Sequence, residues 1–266
     1  MGASFGAAAQ DVVVKPGDER FSFMLGGALP AFKTKLNVDN DTLGSGSRVD
    51  LKDDLGVDQD TSGGWFGAEW RFAPRHRFGL TYSRFTLRGE RTIERNLQID
   101  DEIFPVGASL SSSLRLEIMP FTYSYSVIKR EHDELALTAG LHWSRLSFAV
   151  QGSASLGAQD FSNDASAKAN VPLPLVGVRY DHHFSPRWSA GGNLGVFALS
   201  FGEDTFSFKG ELWSVRAHTE YRFAKHFGIG AAIEGFKISI DASQDQWKGG
   251  FDYGYWGPQI YLTARF

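Results

Sequence analysis

The chain has 266 residues with 30 glycines, 22 phenylalanines and no cysteine, a formal charge of −4 and a mean hydropathy of −0.24. The missing thiols exclude a disulfide framework and a thiolate zinc site, and the acidic balance gives no electrostatic case for nucleic acid. Its length suits one domain or two small ones, and no apolar run approaches the roughly eighteen residues of a membrane-crossing helix.

Ala3 to Gln10 is small and apolar and ends in Ala7-Ala8-Ala9. Residues 1–19 therefore read as the remnant of a secretory signal or a flexible N-terminus, ahead of a single domain over 20–266. Four short polar turns punctuate that domain: Ala73-Pro74-Arg75-His76, Lys129-Arg130-Glu131-His132-Asp133, Ser185-Pro186-Arg187 and Ala224-Lys225-His226. Each follows an apolar or aromatic strand end, at Phe72, Ile128, Phe184 and Phe223. Between them lie longer stretches rich in Asp, Ser, Asn and Gly: Asn37 to Gly64, Glu94 to Ser113, Ser153 to Asn170, Gly202 to Gly210 and Ala242 to Gly250. Each turn joins two strands, and the first and last strands add two. The count is about ten, with eight and twelve as its neighbours.

The flanking runs alternate with period two, so every strand has an apolar and a polar face. Phe66, Ala68, Trp70 and Phe72 oppose Gly67, Glu69 and Arg71. Trp213, Val215, Ala217, Thr219, Tyr221 and Phe223 oppose Ser214, Arg216, His218, Glu220 and Arg222. Two runs change phase, Leu114-Leu116-Ile118 giving way to Phe121-Tyr123-Tyr125 across Pro120, and Ile229-Ala231-Ile233 to Phe236-Ile238-Ile240 across Gly235. A bulge at each switch would shift the register by one and keep the apolar side on one face throughout.

In the last sixteen residues, Trp256, Pro258, Ile260, Leu262, Ala264 and Phe266 share one face, and Tyr255, Gln259, Tyr261, Thr263 and Arg265 the other. The terminal Phe266, the dyad repeat and the alternation of short turns with long loops resemble small bacterial outer-membrane β-barrel proteins, over Phe21 to Phe266. That resemblance implies an all-β, transmembrane, antiparallel up-and-down barrel with short periplasmic turns and long extracellular loops. It implies residence in the bacterial outer membrane, with lipid and lipopolysaccharide as surroundings and the barrel-assembly machinery as partner during insertion. Phe266, Leu262, Trp256, Phe223, Tyr221, Trp188 and Phe72 then act as insertion signal and aromatic girdle. The structural alternative is a soluble β-sandwich or lipocalin-like barrel, which would bury Trp70, Tyr221, Phe223 and Phe266 in a core.

The polar faces collect Glu69, Arg71, Arg179, Asp181, His183, Arg216, His218, Glu220, Arg222 and Arg265. In a narrow lumen such charges must pair, and mixed signs at neighbouring positions favour a salt-bridge plug over an anion-selective constriction. His76, His132, His182, His183 and His226 lie at the short-turn end, opposite to the extracellular mouth where ten-stranded outer-membrane proteases keep their catalytic groups. His142-Trp143-Ser144 resembles the His-x-Ser pattern of outer-membrane lipid A deacylases, but no Glu follows before Glu203, and the pair faces the lumen. The acidic loop bearing Asp39, Asp41, Asp50, Asp53, Asp54, Asp58 and Asp60 reads as solvated, since no calcium-loop pattern is present. Within it, residues 49–55 alternate, and either extend a strand or fold into the mouth. Trp247, Phe251, Tyr253, Tyr255 and Trp256 form either a binding surface or part of the girdle. The reading is a non-enzymatic structural or surface-interaction barrel, or a narrow channel, without cofactor or metal. A membrane-embedded hydrolase, deacylase-like or omptin-like, is its alternative.

Overall fold

The computed structural model describes residues 18–40, 47–50, 52, 55–58, 60–94, 97–99, 102–156, 159–203, 206–244 and 247–266. Ten antiparallel strands close a barrel: β1 (Phe21–Ala28), β4 (Gly63–Ala73), β5 (His76–Thr92), β8 (Ser109–Lys129), β9 (Asp133–Leu156), β10 (Gln159–His183), β11 (Trp188–Glu203), β12 (Phe206–Arg222), β13 (Phe227–Gln244) and β14 (Trp247–Arg265). They follow one another round the ring in chain order, and β14 pairs back onto β1 from Ser22↔Arg265 to Ala28↔Gln259. Pro30 has no N–H to give the ladder and ends β1. β2 (Ala31–Asn40) then continues along β14 and pairs with the short β3 (Ser47–Asp50). A small hairpin, β6 (Leu97–Ile99) and β7 (Glu102–Phe104), lies between β5 and β8. The four short turns fall where the short polar segments predict them, all at one end.

Those aromatics that a soluble core would hold are on the outside. Trp70, Tyr221, Phe223 and Phe266 are 37–56% exposed, and Phe72, Trp188 and Leu262 share their face. In β14 the outward apolar set runs from Trp256 to Phe266, matching the 9–11 or so residues of a tilted membrane strand. Lipid is therefore the medium outside this belt, with Trp256, Trp213, Trp143 and Tyr82 at its upper edge and the other girdle residues at its lower one.

The expected bulges at Pro120 and Gly235 are absent. Neither position shifts the register: Pro120 pairs with His142 and Gly235 with Trp256, the β5–β8 ladder pausing between Leu80↔Phe121 and Ser83↔Ile118 without changing register, and register shifts in β8 and β4 occur only near the turns, at Ser126/Ile128 and Arg71/Ala73. Instead of the strand changing register, the surroundings change. Outward Tyr82, Met119, Trp143, Pro172, Trp213 and Ile233 are followed up their strands, on the same face, by Arg84, Glu117, Arg145, Asn170, Glu211 and Lys237. Leu114, Leu116 and Ile118, expected against lipid, are buried inside with Phe236 and Ile238. Above the bilayer water lies outside the ring, so the apolar parity turns inward and packs. The stretches Ser153 to Asn170, Gly202 to Gly210 and Ala242 to Gly250, expected as loops, are mostly these strand extensions.

Above Gly63, among the described residues, only the short β3 stands between β2 and β5. Val57, Asp58 and Asp60 bridge the interval, through Val57↔Gly89, Ala31↔Asp60 and the Asp58 N–H donating to Arg88 O at 3.0 Å. Gly56 has φ of 64°, and a side chain at Gly89 would collide with the crossing backbone of Val57. Of the alternating stretch 49–55, Val49 and Asp50 extend the sheet in β3, while Leu55 is buried in the mouth, as is Val57 just beyond it.

Candidate functional site

The lumen has three levels. At its short-turn end Glu134 of β9 accepts Arg71 Nη2 of β4 at 2.9 and 2.7 Å, Arg77 Nη2 of β5 at 3.1 Å and the Ser126 hydroxyl of β8. Arg77 also donates to Glu69 at 3.2 Å. Glu69 takes Arg179 of β10, whose Nε donates to Asp181 at 2.7 Å, and Asp181 lies 3.4 Å from His218 of β12. Three guanidinium groups thus meet three carboxylates from four strands, and Ser126 and His218 bring in two more. The space left at this level is about 20 Å³, room for a single water.

Beside it, Arg265 pairs with Glu220, which also accepts the Tyr261 hydroxyl at 3.1 Å, and Arg222 pairs with Glu19. Glu19 lies just before β1, outside the spanning segments. Burial alone would raise its pKa, but Arg265 and Arg222 hold the carboxyl below its ordinary value. Its native pKa being depressed, its contribution is present above the ordinary value of 4.5 and fades as the pH falls through the native one. The stability gap between wild type and Glu19→Gln, read from urea unfolding in micelles, should therefore shrink below that pH. A gap independent of pH would show that the pair contributes nothing through charge.

Of the residues expected in the lumen, the structure places Glu69, Arg71, Arg179, Asp181, His218, Glu220, Arg222 and Arg265 in these ion pairs. His183 lines the same floor, and Arg216 stands higher. Arg77, Glu134 and Glu19 were not among them. The alternation of Arg77, Gly79, Thr81 and Ser83 against Phe78, Leu80 and Tyr82, and the parity that Glu134 shares with Ala136, carry the signal for the first two.

The middle level is a cavity of about 180 Å³ where the charged floor meets apolar walls, and the Arg216 guanidinium lies there 5.0 and 5.2 Å from the Trp65 and Tyr261 ring centroids. His142 reaches the same level and stacks on Phe236 at 4.4 Å. The His142 Nε2 and Ser144 Oγ atoms are buried without a hydrogen-bond partner among the described residues. The upper level is apolar: Phe85, Leu116, Phe148, Val150 and Ile238 from the strands, with Leu55, Val57 and Phe104 inserted from the loops.

Ala3 to Gln10, Asp41, Asp53 and Asp54 lie outside the described residues, and the side chains of Asp39, Asp50, Trp247 and Phe251 are likewise not described. Tyr253 and Tyr255 point inward, packing on Phe236, while Trp256 stays in the outer girdle.

No family model matches the chain, and no curated protein matches it. Among solved structures it is similar to the outer membrane protease OmpT from Escherichia coli, at 11% identity with a TM-score of 0.61, over 93% of this chain and 97% of that one. It is also similar to the toluene transporter TodX from Pseudomonas putida (10% identity, TM-score 0.38, 96% and 93% covered) and to the outer membrane protein OprG from Pseudomonas aeruginosa (9%, 0.38, 93% and 97%). At these identities the likeness is one of fold. With its lipid-facing belt, the chain has the architecture of an integral membrane β-barrel, the fold it shares with the OmpT structure.

Proposed function

We propose that the protein is a non-enzymatic barrel with a closed lumen, anchoring in the membrane the β-structured column that it raises above the surface. The observation that supports this most is the double obstruction: a neutralised ion network at the floor and an inserted apolar plug at the mouth. Equal numbers of opposite charges select no ion, and apolar side chains packed across an opening exclude water. In planar bilayers the wild type should give no resolvable current steps. Reproducible openings would replace the plug with a channel.

The hydrolase reading is weaker, because His142 and Ser144 sit inside the lumen and, among the described residues, no carboxylate pairs with the imidazole. Lipid A and phospholipid profiles of cells overproducing the protein should match those of cells making His142→Ala. A change abolished by that substitution would make the protein an enzyme.

A further inference from the structure

The cavity in the middle of the lumen holds polar groups that the protein itself leaves unused. Trp65 and His142 are each 4% exposed and line it, and neither Trp65 Nε1 nor His142 Nε2 has a hydrogen-bond partner among the described residues. Arg216 Nε and Nη2 are also buried without a partner. Its nearest carboxylate oxygen, on Glu234, is 3.9 Å from Nε, beyond hydrogen-bond reach, and is already taken by Gln259 Nε2 at 3.0 Å, while the Tyr255 hydroxyl donates to the other oxygen. The other carboxylates at this level are likewise spent, Glu220 on Arg265 and Glu69 on Arg179.

Buried donors without acceptors carry a desolvation cost, largest when the donor is charged, and that cost is removed by whatever supplies the acceptors. A guanidinium with two free N–H groups, joined by an indole N–H, suits a carboxylate. The walls set the rest of the molecule. Trp65, Phe85, Phe236, Tyr255 and Tyr261 line the space with rings, and about 180 Å³ slightly exceeds the cavity of about 150 Å³ that accepts benzene in another protein.

We propose that this cavity binds a small carboxylate carrying one aromatic ring, with the carboxylate on Arg216 and the Trp65 N–H and the ring against Phe236 and Tyr255. The inference rests on the closed-lumen reading, since bulk water in an open pore would satisfy the same donors. The protein then works as a receptor for the ligand that it encloses.

The test is isothermal titration calorimetry on the full chain refolded in detergent micelles, with benzoate as probe and benzamide and acetate as its neutral and ringless counterparts. Benzoate should bind saturably at one site, with both counterparts weaker by at least about tenfold, the scale of one charge-assisted hydrogen bond. Arg216→Met should lose at least about tenfold in affinity. Trp65→Phe, which keeps the ring and removes only the N–H, should lose a smaller factor. Heat-modifiable gel migration shows whether each variant is folded, and Trp65→Phe decides if Arg216→Met is not. Absence of saturable binding to the wild type would overturn the proposal, as would equal benzoate affinity in the folded variants, because the cavity would then hold only water. Bilayer recordings on the same preparation separate the two readings. Currents together with benzoate binding overturn the closed lumen alone, whereas silence without binding overturns this site alone.

Discussion

Glu134→Gln should lower the unfolding free energy by about 3–5 kcal/mol, the usual cost of removing one partner from a buried ion pair. Glu134 holds two guanidinium groups at once, and the side chains of Arg71, Arg77 and Glu134 keep only 5%, 11% and 8% of their exposure. A neutral amide leaves Arg71 without a counter-charge among the described residues, beside an Arg77 that keeps its weaker pairing with Glu69. It also removes the contact that joins β8 and β9 to β4 and β5 through side chains. Urea unfolding in lipid vesicles, with the exposed Glu131→Gln as the matched control near zero, gives the number. A loss below about 1 kcal/mol, the worth of an exposed pair, would mean that water solvates the network and that the floor is wet.

Arginine placed at two positions on one face of one strand should give opposite results. Phe121 and Ser111 lie ten residues apart on β8 with the same parity, and both point out of the barrel. Phe121→Arg puts a charge in the lipid belt and should cost about 2–4 kcal/mol and hinder insertion. Ser111→Arg enters water above the belt and should change stability by no more than about 0.5 kcal/mol. Leu116→Arg, of inward parity between them, should stop folding, because it buries an unpaired charge among Leu114, Ile118 and their neighbours. Folded yield and heat-modifiable migration report all three. Equal tolerance of Phe121→Arg and Ser111→Arg would remove lipid as the medium around the lower half.

Ring, turns and faces were legible in the sequence because alternation is local: Trp213 to Phe223 declares its two faces without any partner strand. The charged floor was legible for the same reason, except where its members adjoin turns. Arg77 and Glu134 follow directly on polar turn residues, and so merge with them unless parity is carried to the strand's first residue. The inward turn of Leu114, Leu116 and Ile118 was misread because periodicity says which residues share a face but not which solvent that face meets. A bulge and a change of medium produce the same pattern in the letters. The plug was out of reach for a different reason. Leu55, Val57 and Phe104 sit in polar stretches, and only the tertiary path that carries them over Gly89 and Gly152 gives their apolar character a purpose.

The interval between β2 and β5 above Gly63 also divides the molecule mechanically. Within hydrocarbon every strand must have neighbours on both sides, since an orphaned amide there has nothing to bond. Higher up, water can serve a bare edge, so the wall tolerates being stitched by Val57, Asp58 and Asp60 through a handful of bonds. Pulling those stitches would splay the rim and admit a visitor from the cell exterior, while the belt below stayed zipped.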